Sequence, residues 1–489
     1  MSEPRKVIPI VPVPVPAAAG AAPAPAAGES SEELVSLYAA TKKIYPRSVT
    51  GVFARWRWAL VFITQLFFYG LPWLEWGSRQ AVLFDLGARR FYIFGLVLYP
   101  QDFIYLTGLL VVSALLLFLF TAVAGRLWCG YACPQTVYTE IFLWIERRIE
   151  GDRQARMKLD ANGLSAEKLV KKWFKHVVWI GVALWTGFTF VGYFVPVREL
   201  GMDFFLGRMG GWEIFWVLFY GFATYGNAGF MREQVCMYMC PYARFQSAMF
   251  DRDTLVVSYD AARGDPRGSR SRRADPAALG LGACVDCSLC VQVCPTGIDI
   301  RDGLQYECIG CAACVDVCDT VMDKMNYPRG LIRYTTQAGM AAGWGAREIL
   351  RRVFRPRVLV YSFILLSLSL GLLISLALRT PLKVDVVRDR AALSRIVDGG
   401  RLENVYRLQV MNATEVEQAY RITASGLEGL AIASDGNVTV GPAQARWVAV
   451  RLQIPYGSAE PGSHTIHFAI QAVGADAHVS EKSVFLVPR

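Results

Sequence analysis

Residues 284–295 read CVDCSLCVQVCP and residues 308–319 read CIGCAACVDVCD, so one spacing, C-x2-C-x2-C-x3-C, occurs twice and holds eight of the chain's twelve cysteines. In such a run the three closely spaced thiolates wrap three corners of a [4Fe-4S] cube, and the fourth reaches across to a second cube. The spacing therefore assigns Cys284, Cys287, Cys290 and Cys318 to one cluster and Cys308, Cys311, Cys314 and Cys294 to the other. Zinc closes its shell with four ligands and a disulfide knot needs only pairs, so neither calls for the doubled x2-x2-x3 rhythm. Asp319 stands where the first run carries Pro295; the turn there differs, but no ligand is lost.

Outward from this segment the composition points to lipid. Of 489 residues, 54% are hydrophobic, and mean hydropathy is +0.31, the balance of a chain that lies partly in a bilayer. The net charge of +10 suits a membrane protein with basic cytoplasmic loops and calls for no nucleic acid. Every cysteine precedes residue 319, which places the thiols in a reducing compartment and leaves a cysteine-free domain elsewhere.

Residues 7–27 alternate proline with small apolar residues, and Pro9, Pro12, Pro14 and Pro16 would break the helix a signal peptide needs. The expectation is a disordered, extended tail, then a short amphipathic helix at Ser31–Lys43. Five apolar stretches have the length of membrane spans: Trp58–Trp76, Phe103–Gly125, Val177–Val195, Ile214–Phe230 and Val358–Leu378. Phe91–Leu98 is too short to span and, followed by Pro100, reads as an interfacial or re-entrant piece. Ten Lys and Arg lie between Arg126 and His176, against three between the first two stretches and two between the third and fourth. Positive loops stay inside, so the N-terminus, the 126–176 loop and the eight-cysteine segment are expected in the cytoplasm and the C-terminal domain in the periplasm. Five arginines between Asp260 and Pro276 read as attraction to anionic lipid rather than nucleic-acid binding. After Thr380, short β-branched runs at Val405–Asn412, Ala419–Ala424, Asn437–Val440, Arg446–Ile454, His464–Ala472 and Ser480–Val487 have the spacing of an immunoglobulin-like sandwich.

The other four cysteines form two copies of C-x-Y-x-C-P, Cys129-Gly-Tyr-Ala-Cys133-Pro134 and Cys236-Met-Tyr-Met-Cys240-Pro241, each after an apolar stretch. The proline pushes the second cysteine of each pair out of helical geometry. Packing, a redox disulfide and a soft-metal site compete; thiolate ligands favour Cu(I), so Cys129, Cys133, Cys236 and Cys240 are candidate copper or redox residues. Met237 and Met239 fit helix packing better than ligation. His176 reads as interfacial, and His464 and His467 face opposite sides of a strand.

These features together resemble the CcoG/FixG/RdxA family of cytochrome c oxidase accessory proteins, linked to assembly of cbb3-type oxidases. Segments such as Leu83-Phe84-Asp85 and the run from Ile145 to Arg153 (IERRIEGDR) add to the likeness. The resemblance implies a cupric reductase of the bacterial inner membrane: the eight cysteines carry electrons through two [4Fe-4S] clusters, and the four membrane cysteines form the catalytic copper or redox site. It also implies copper-trafficking proteins and cbb3-type oxidase assembly factors as partners; the electron donor stays unidentified. Two other functions remain open, a quinol-linked electron-transfer subunit and a non-enzymatic assembly scaffold.

The expected fold is a multidomain membrane protein with an all-α transmembrane core of about five helices, a small α+β two-[4Fe-4S] ferredoxin-like domain and a C-terminal all-β immunoglobulin-like sandwich. The expected division is 1–50 tail and amphipathic helix, 51–258 four-helix membrane core with both C-x-Y-x-C-P motifs, and 259–278 basic linker. Then come 279–327 two-cluster domain, 328–380 basic connector and fifth transmembrane helix, and 381–489 periplasmic sandwich.

Overall fold

The structure, a computed structural model, describes residues 43–389, 394–397 and 399–488. The proline-rich segment and most of the helix expected at Ser31–Lys43 lie outside the described residues. In chain order, α1 (Val52–Gly70) and α2 (Phe103–Ala124) are long, and a single turn, α3 (Leu127–Tyr131), leads into α4 (Pro134–Glu150). Two more long helices, α5 (Ala166–Val191) and α6 (Gly211–Gly229), precede α7 (Pro241–Met249), α8 (Ala313–Met325) and the last long helix, α9 (Pro356–Ala377).

Three of the long helices, α2, α5 and α9, are long and apolar enough to cross a membrane. The other two, α1 and α6, reach 19 residues, which is about 28 Å. Arg55, Arg57 and Gln65 dilute the first, and Glu213, Asn227 and four glycines the second. Helix α1 also begins and ends earlier than its apolar stretch, because Pro72 sits in a 3-10 turn and Glu75–Trp76 has already become a strand. The helices pack in pairs. Between α5 and α6 a Cβ on Gly187 would lie 2.2 Å from the Val217 carbonyl, so the two backbones approach as only a small residue allows. Between α2 and α9, Tyr105 donates to the Ser375 carbonyl at 3.1 Å.

Segments joining the long helices gather alternately at two ends. At one end, Asp316 accepts from the Phe53 and Ala54 amides at the start of α1, and Glu146 on α4 takes Arg156 at 2.9 Å and Arg232, beyond α6, at 3.1 Å. The eight-cysteine segment lies at this end, closed by the antiparallel ribbon of Val256–Tyr259 with Ile332–Thr335. Its preceding arginines, read as a lipid-facing strip, instead fold back onto the domain. Arg263 donates to the Pro328 and Arg329 carbonyls, Arg270 to Gly282, and Arg267 pairs with Asp265 at 3.1 Å.

At the other end Phe91–Leu98 does not re-enter among the long helices. Its residues form two strands, Arg90–Ile93 and Leu96–Leu98, of an antiparallel sheet with Val82–Asp85. An unbroken apolar run hides its two-residue period, and the C-terminal domain covers only part of it, Tyr92 and Val97 being buried while Ile93 and Phe94 are exposed. Leu83, Tyr92, Val97 and Tyr99 pack against Met411, Ala413 and Ala443 of that domain, and Tyr99 donates to the Asn412 carbonyl at 3.0 Å.

The C-terminal domain is a sandwich of two antiparallel sheets. One orders Ala431–Ile432, Ala445–Pro455, Arg401–Asn412 and Leu382–Arg388, with Arg395–Val397 beside Arg401–Glu403; the other orders Asn437–Val440, Gln418–Ser425, Gly462–Ala472 and His478–Val487. Along Gly462–Ala472 buried and exposed residues alternate, and Ile466, Phe468 and Ile470 meet Tyr406, Val450, Leu452 and Phe485 in the core. All six expected runs are strands; Leu382–Arg388, Arg395–Val397 and Ala431–Ile432 were not foreseen. His464 and His467 fall on opposite faces of their strand, as their spacing requires.

Candidate metal centre

The two cysteine runs fold alike. Asp286 and Ser288 in the first, and Gly310 and Ala312 in the second, occupy the same two positions and all have positive φ. This left-handed backbone costs energy for any residue but glycine, and it curls each tight run around a centre. A short helix, Leu289–Gln292, begins within the first run as α8 begins within the second. Asp319 explains why the second run lacks its proline: α8 continues through Cys318 to Met325, where proline would remove a helical hydrogen bond, and the Asp319 carboxylate accepts from the Gly330 amide at 2.9 Å.

Two cavities result. Cys284, Cys287, Cys290 and Cys318 line one. Cys294, Cys308, Cys311 and Cys314 line the other, of similar size, with Cys290 in the shared wall. Four thiols around each cavity fit the corners of a cube, whose ligands stand farther apart than those of a single zinc ion. Burial pushes the Cys290 thiol up to about 11 and the Cys308 and Cys318 thiols up to about 12, so these groups need the positive charge of iron to hold them as thiolates.

The membrane motifs meet this domain directly. Cys129 lies in α3 and Cys236 in a π-helical turn, Val235–Met239. Cys133 and Cys240 are extended (φ −62°, ψ 130° and φ −82°, ψ 109°) because Pro134 and Pro241 open the next helices, α4 and α7. Although the pairs are 107 residues apart (236 − 129), Cys236 lies within electrostatic reach of Cys129, Cys133 and Cys240, and Cys133 of Cys240. All four are free thiols. Burial pushes Cys129 up to about 11 and Cys236 up to about 12. Cys129 and Cys236 also pack against the buried cluster of Val293, Ile309, Cys311 and Ala313, which draws on both runs.

Sequence reasoning missed the residues that make this contact. Tyr334 donates to the Gly310 carbonyl at 2.5 Å and its hydroxyl lies 3.3 Å from that of Tyr131, and the buried Arg57 points at the Cys311 carbonyl, 3.4 Å away. Arg57 carried a signal: it is a charge inside a helix that otherwise reads as apolar. His176 takes no part; its Nδ1 lies 2.9 Å from the Tyr225 hydroxyl and its ring stacks on Phe230.

With the geometry in hand, comparisons with known proteins are consistent. Residues 231–337 match the family described as "4Fe-4S dicluster domain", residues 106–151 match "4Fe-4S binding domain", and residues 372–488 match "IG-like fold at C-terminal of FixG". The nitrogen fixation protein FixG of Rhizobium meliloti is 39% identical over 434 residues, 82% of this chain and 83% of its own length. Protein RdxB of Cereibacter sphaeroides is 39% identical over 410 residues, 82% of this chain and 86% of its own. The crystal structure of a FixG-related protein from Vibrio parahaemolyticus is 24% identical, with a TM-score of 0.21, and covers 22% of this chain and 97% of its own.

Proposed function

The chain belongs to the FixG and Rdx family, and from that membership we propose that it reduces Cu(II) to Cu(I) in the bacterial inner membrane during assembly of a cbb3-type oxidase. It is a FixG/RdxA-like membrane oxidoreductase with 4Fe-4S-binding domains. The reading assigns Cys284, Cys287, Cys290 and Cys318 to one cluster and Cys294, Cys308, Cys311 and Cys314 to the other. When bound, the clusters supply electrons one at a time, as the cupric-to-cuprous step requires.

One observation carries the proposal: two helix ends, far apart in sequence, bring Cys129, Cys133, Cys236 and Cys240 within electrostatic reach of one another, with Cys129 and Cys236 packed against the buried cluster that includes Ile309 and Cys311. Copper is the substrate. A soft, half-buried thiol set favours the cuprous ion, while Cu(II) prefers nitrogen and oxygen in tetragonal geometry. The thiols therefore hold the product of the one-electron step better than its reactant. The extended backbone at Cys133 and Cys240 turns these two side chains out of the helical register, which leaves them free to adjust to the ion. Copper-trafficking proteins and oxidase assembly factors are the corresponding partners.

In this reading the eight-cysteine domain faces the cytoplasm, where the basic loops are, and the sandwich faces the periplasm. The alternation of connecting segments between two ends supports five crossings. A reporter fused after Arg489 should be active only outside; activity confined to the cytoplasm would overturn the sidedness. The catalytic claim is tested with anaerobically purified full-length protein carrying Cys133→Ser and Cys240→Ser together. Iron and sulfide should stay at the parent's level while Cu(II) reduction and copper affinity fall together by more than roughly tenfold. Parent-like copper binding and reduction would place the site elsewhere.

A further inference from the structure

Arg126 stands between the two sets of cysteines. It is 6% exposed, and its hydrogen bonds among the described residues all go to backbone carbonyls. One terminal nitrogen donates to Tyr306 and lies 3.5 Å from the Cys308 carbonyl, and the other donates to Ala243 beside the second membrane motif. The guanidinium lies over the Tyr306 ring at 5.6 Å. Cys308 on one side, and Cys129 and Cys236 on the other, feel its charge. The backbones are in equally close contact. A Cβ on Gly130 would come within 2.8 Å of the Cys311 Cα, and one on Gly310 within 3.3 Å of the Arg126 carbonyl carbon.

The other arginines near the cavities are paired with carboxylates. Arg301, which lines the first cavity, pairs with Asp299 at 2.6 Å and Asp286 at 2.5 Å. Arg57, beside Cys311, has Glu140 at 3.8 Å. A buried guanidinium without a carboxylate is costly unless another negative group balances it. A cluster ring gains one negative charge on reduction, and solvent screens the interaction little at this burial.

We propose that Arg126 is a positioning and tuning residue that raises the reduction potential of the cluster held by Cys294, Cys308, Cys311 and Cys314, making that ring the exit toward the membrane cysteines. The inference rests on the assignment of the eight cysteines to two clusters and takes as acceptor a cupric ion bound at the membrane cysteines, which are free thiols and accept no electron themselves. The first ring, whose Cys287 is exposed, is the entry side for electrons. Arg126 stabilises the extra electron on the second ring, and the Gly130–Cys311 contact shortens the step from that ring to an ion held beside Cys129.

The test is a redox titration of anaerobically purified full-length protein, followed by electron paramagnetic resonance, with the two signals assigned through Cys287→Ser and Cys308→Ser. In Arg126→Gln the reduced-to-oxidised ratio of the second ring at a fixed potential should fall on the order of tenfold, equivalent to about 59 mV for a one-electron couple, while the first ring stays put. Arg126→Lys, which keeps the charge but loses the forked contact, should retain the parent potential. An unchanged midpoint in Arg126→Gln, an equal shift of both rings, or the same downshift in Arg126→Lys would overturn the proposal. Should Arg126→Gln lose iron, the Arg126→Lys midpoint decides alone. Absence of iron from the parent would instead refute the cluster assignment.

Discussion

Both cysteine motifs in this chain are duplicated, yet one pair of copies folds alike and the other does not. The C-x2-C-x2-C-x3-C runs place positive φ at matching positions and each rings a cavity of similar volume. The C-x-Y-x-C-P copies diverge: one is an α-helical turn with Tyr131 7% exposed, the other a π-helical turn with Tyr238 64% exposed. A run that wraps a rigid cube has its backbone dictated by the cube. A motif at a helix end takes its conformation from whatever it docks against: the first copy lays its backbone on the Gly310–Cys311 turn at Gly130, whereas the second, with Met237 at the matching position, packs through Cys236 and accepts from the Tyr306 hydroxyl at the Met237 carbonyl.

The likeness between the runs is most sharply broken at the crossing ligand. Cys318→Ser should abolish the cluster ringed by Cys284, Cys287 and Cys290 and spare the other, halving the iron; loss of the second cluster's signal instead would undo the crossed assignment. Next in size is Asp319→Pro, which makes the second run match the first in sequence. Because α8 passes through this position, it should destabilise the domain by about 3 kcal/mol or more, read as a lower midpoint for thermal loss of cluster absorbance.

The unlike pair is sharpened by substitutions at matching positions. Gly130→Ala should cost about 1–3 kcal/mol, since its Cβ would meet backbone atoms of Cys311 and Gly310, and should slow electron transfer out of the reduced protein. Met237→Ala should leave transfer close to the parent; equal slowing by both variants would mean that the copies dock equivalently. Smallest is Tyr131→Phe, which deletes the contact with Tyr334 and should cost about 1 kcal/mol, whereas Tyr238→Phe should stay within about 0.5 kcal/mol. Thermal midpoints of both variants read the difference.

Much of the architecture was legible because its signals are local. Alternation from His464 to Ala472 foretold a strand, and the apolar run from Phe103 foretold α2, each within a single element. Phe91–Leu98 hid its strands because it is apolar throughout; the contrast along it, Tyr92 and Val97 buried with Ile93 and Phe94 exposed, shows only in the folded chain. The linker arginines were misread for a related reason. Charge density does not reveal that Arg263 and Arg270 donate to backbone carbonyls on the same domain.

By itself, the sequence determined the grouping of eight cysteines into two sets of four, because cluster geometry is written in spacings of two and three residues within one 35-residue stretch. It determined the β character of the C-terminal domain through a two-residue period, and the long helices through sustained apolarity. Only the tertiary structure decided that Cys129 and Cys236 pack against the buried cluster around Cys311, that Arg126 reaches Cys308, and that Tyr131 is buried while Tyr238 is open. These contacts join segments far apart in the chain, Cys236 and Cys311 by 75 residues (311 − 236) and Arg126 and Cys308 by 182 (308 − 126), through single side chains packed between elements, and such contacts leave no periodicity along the chain.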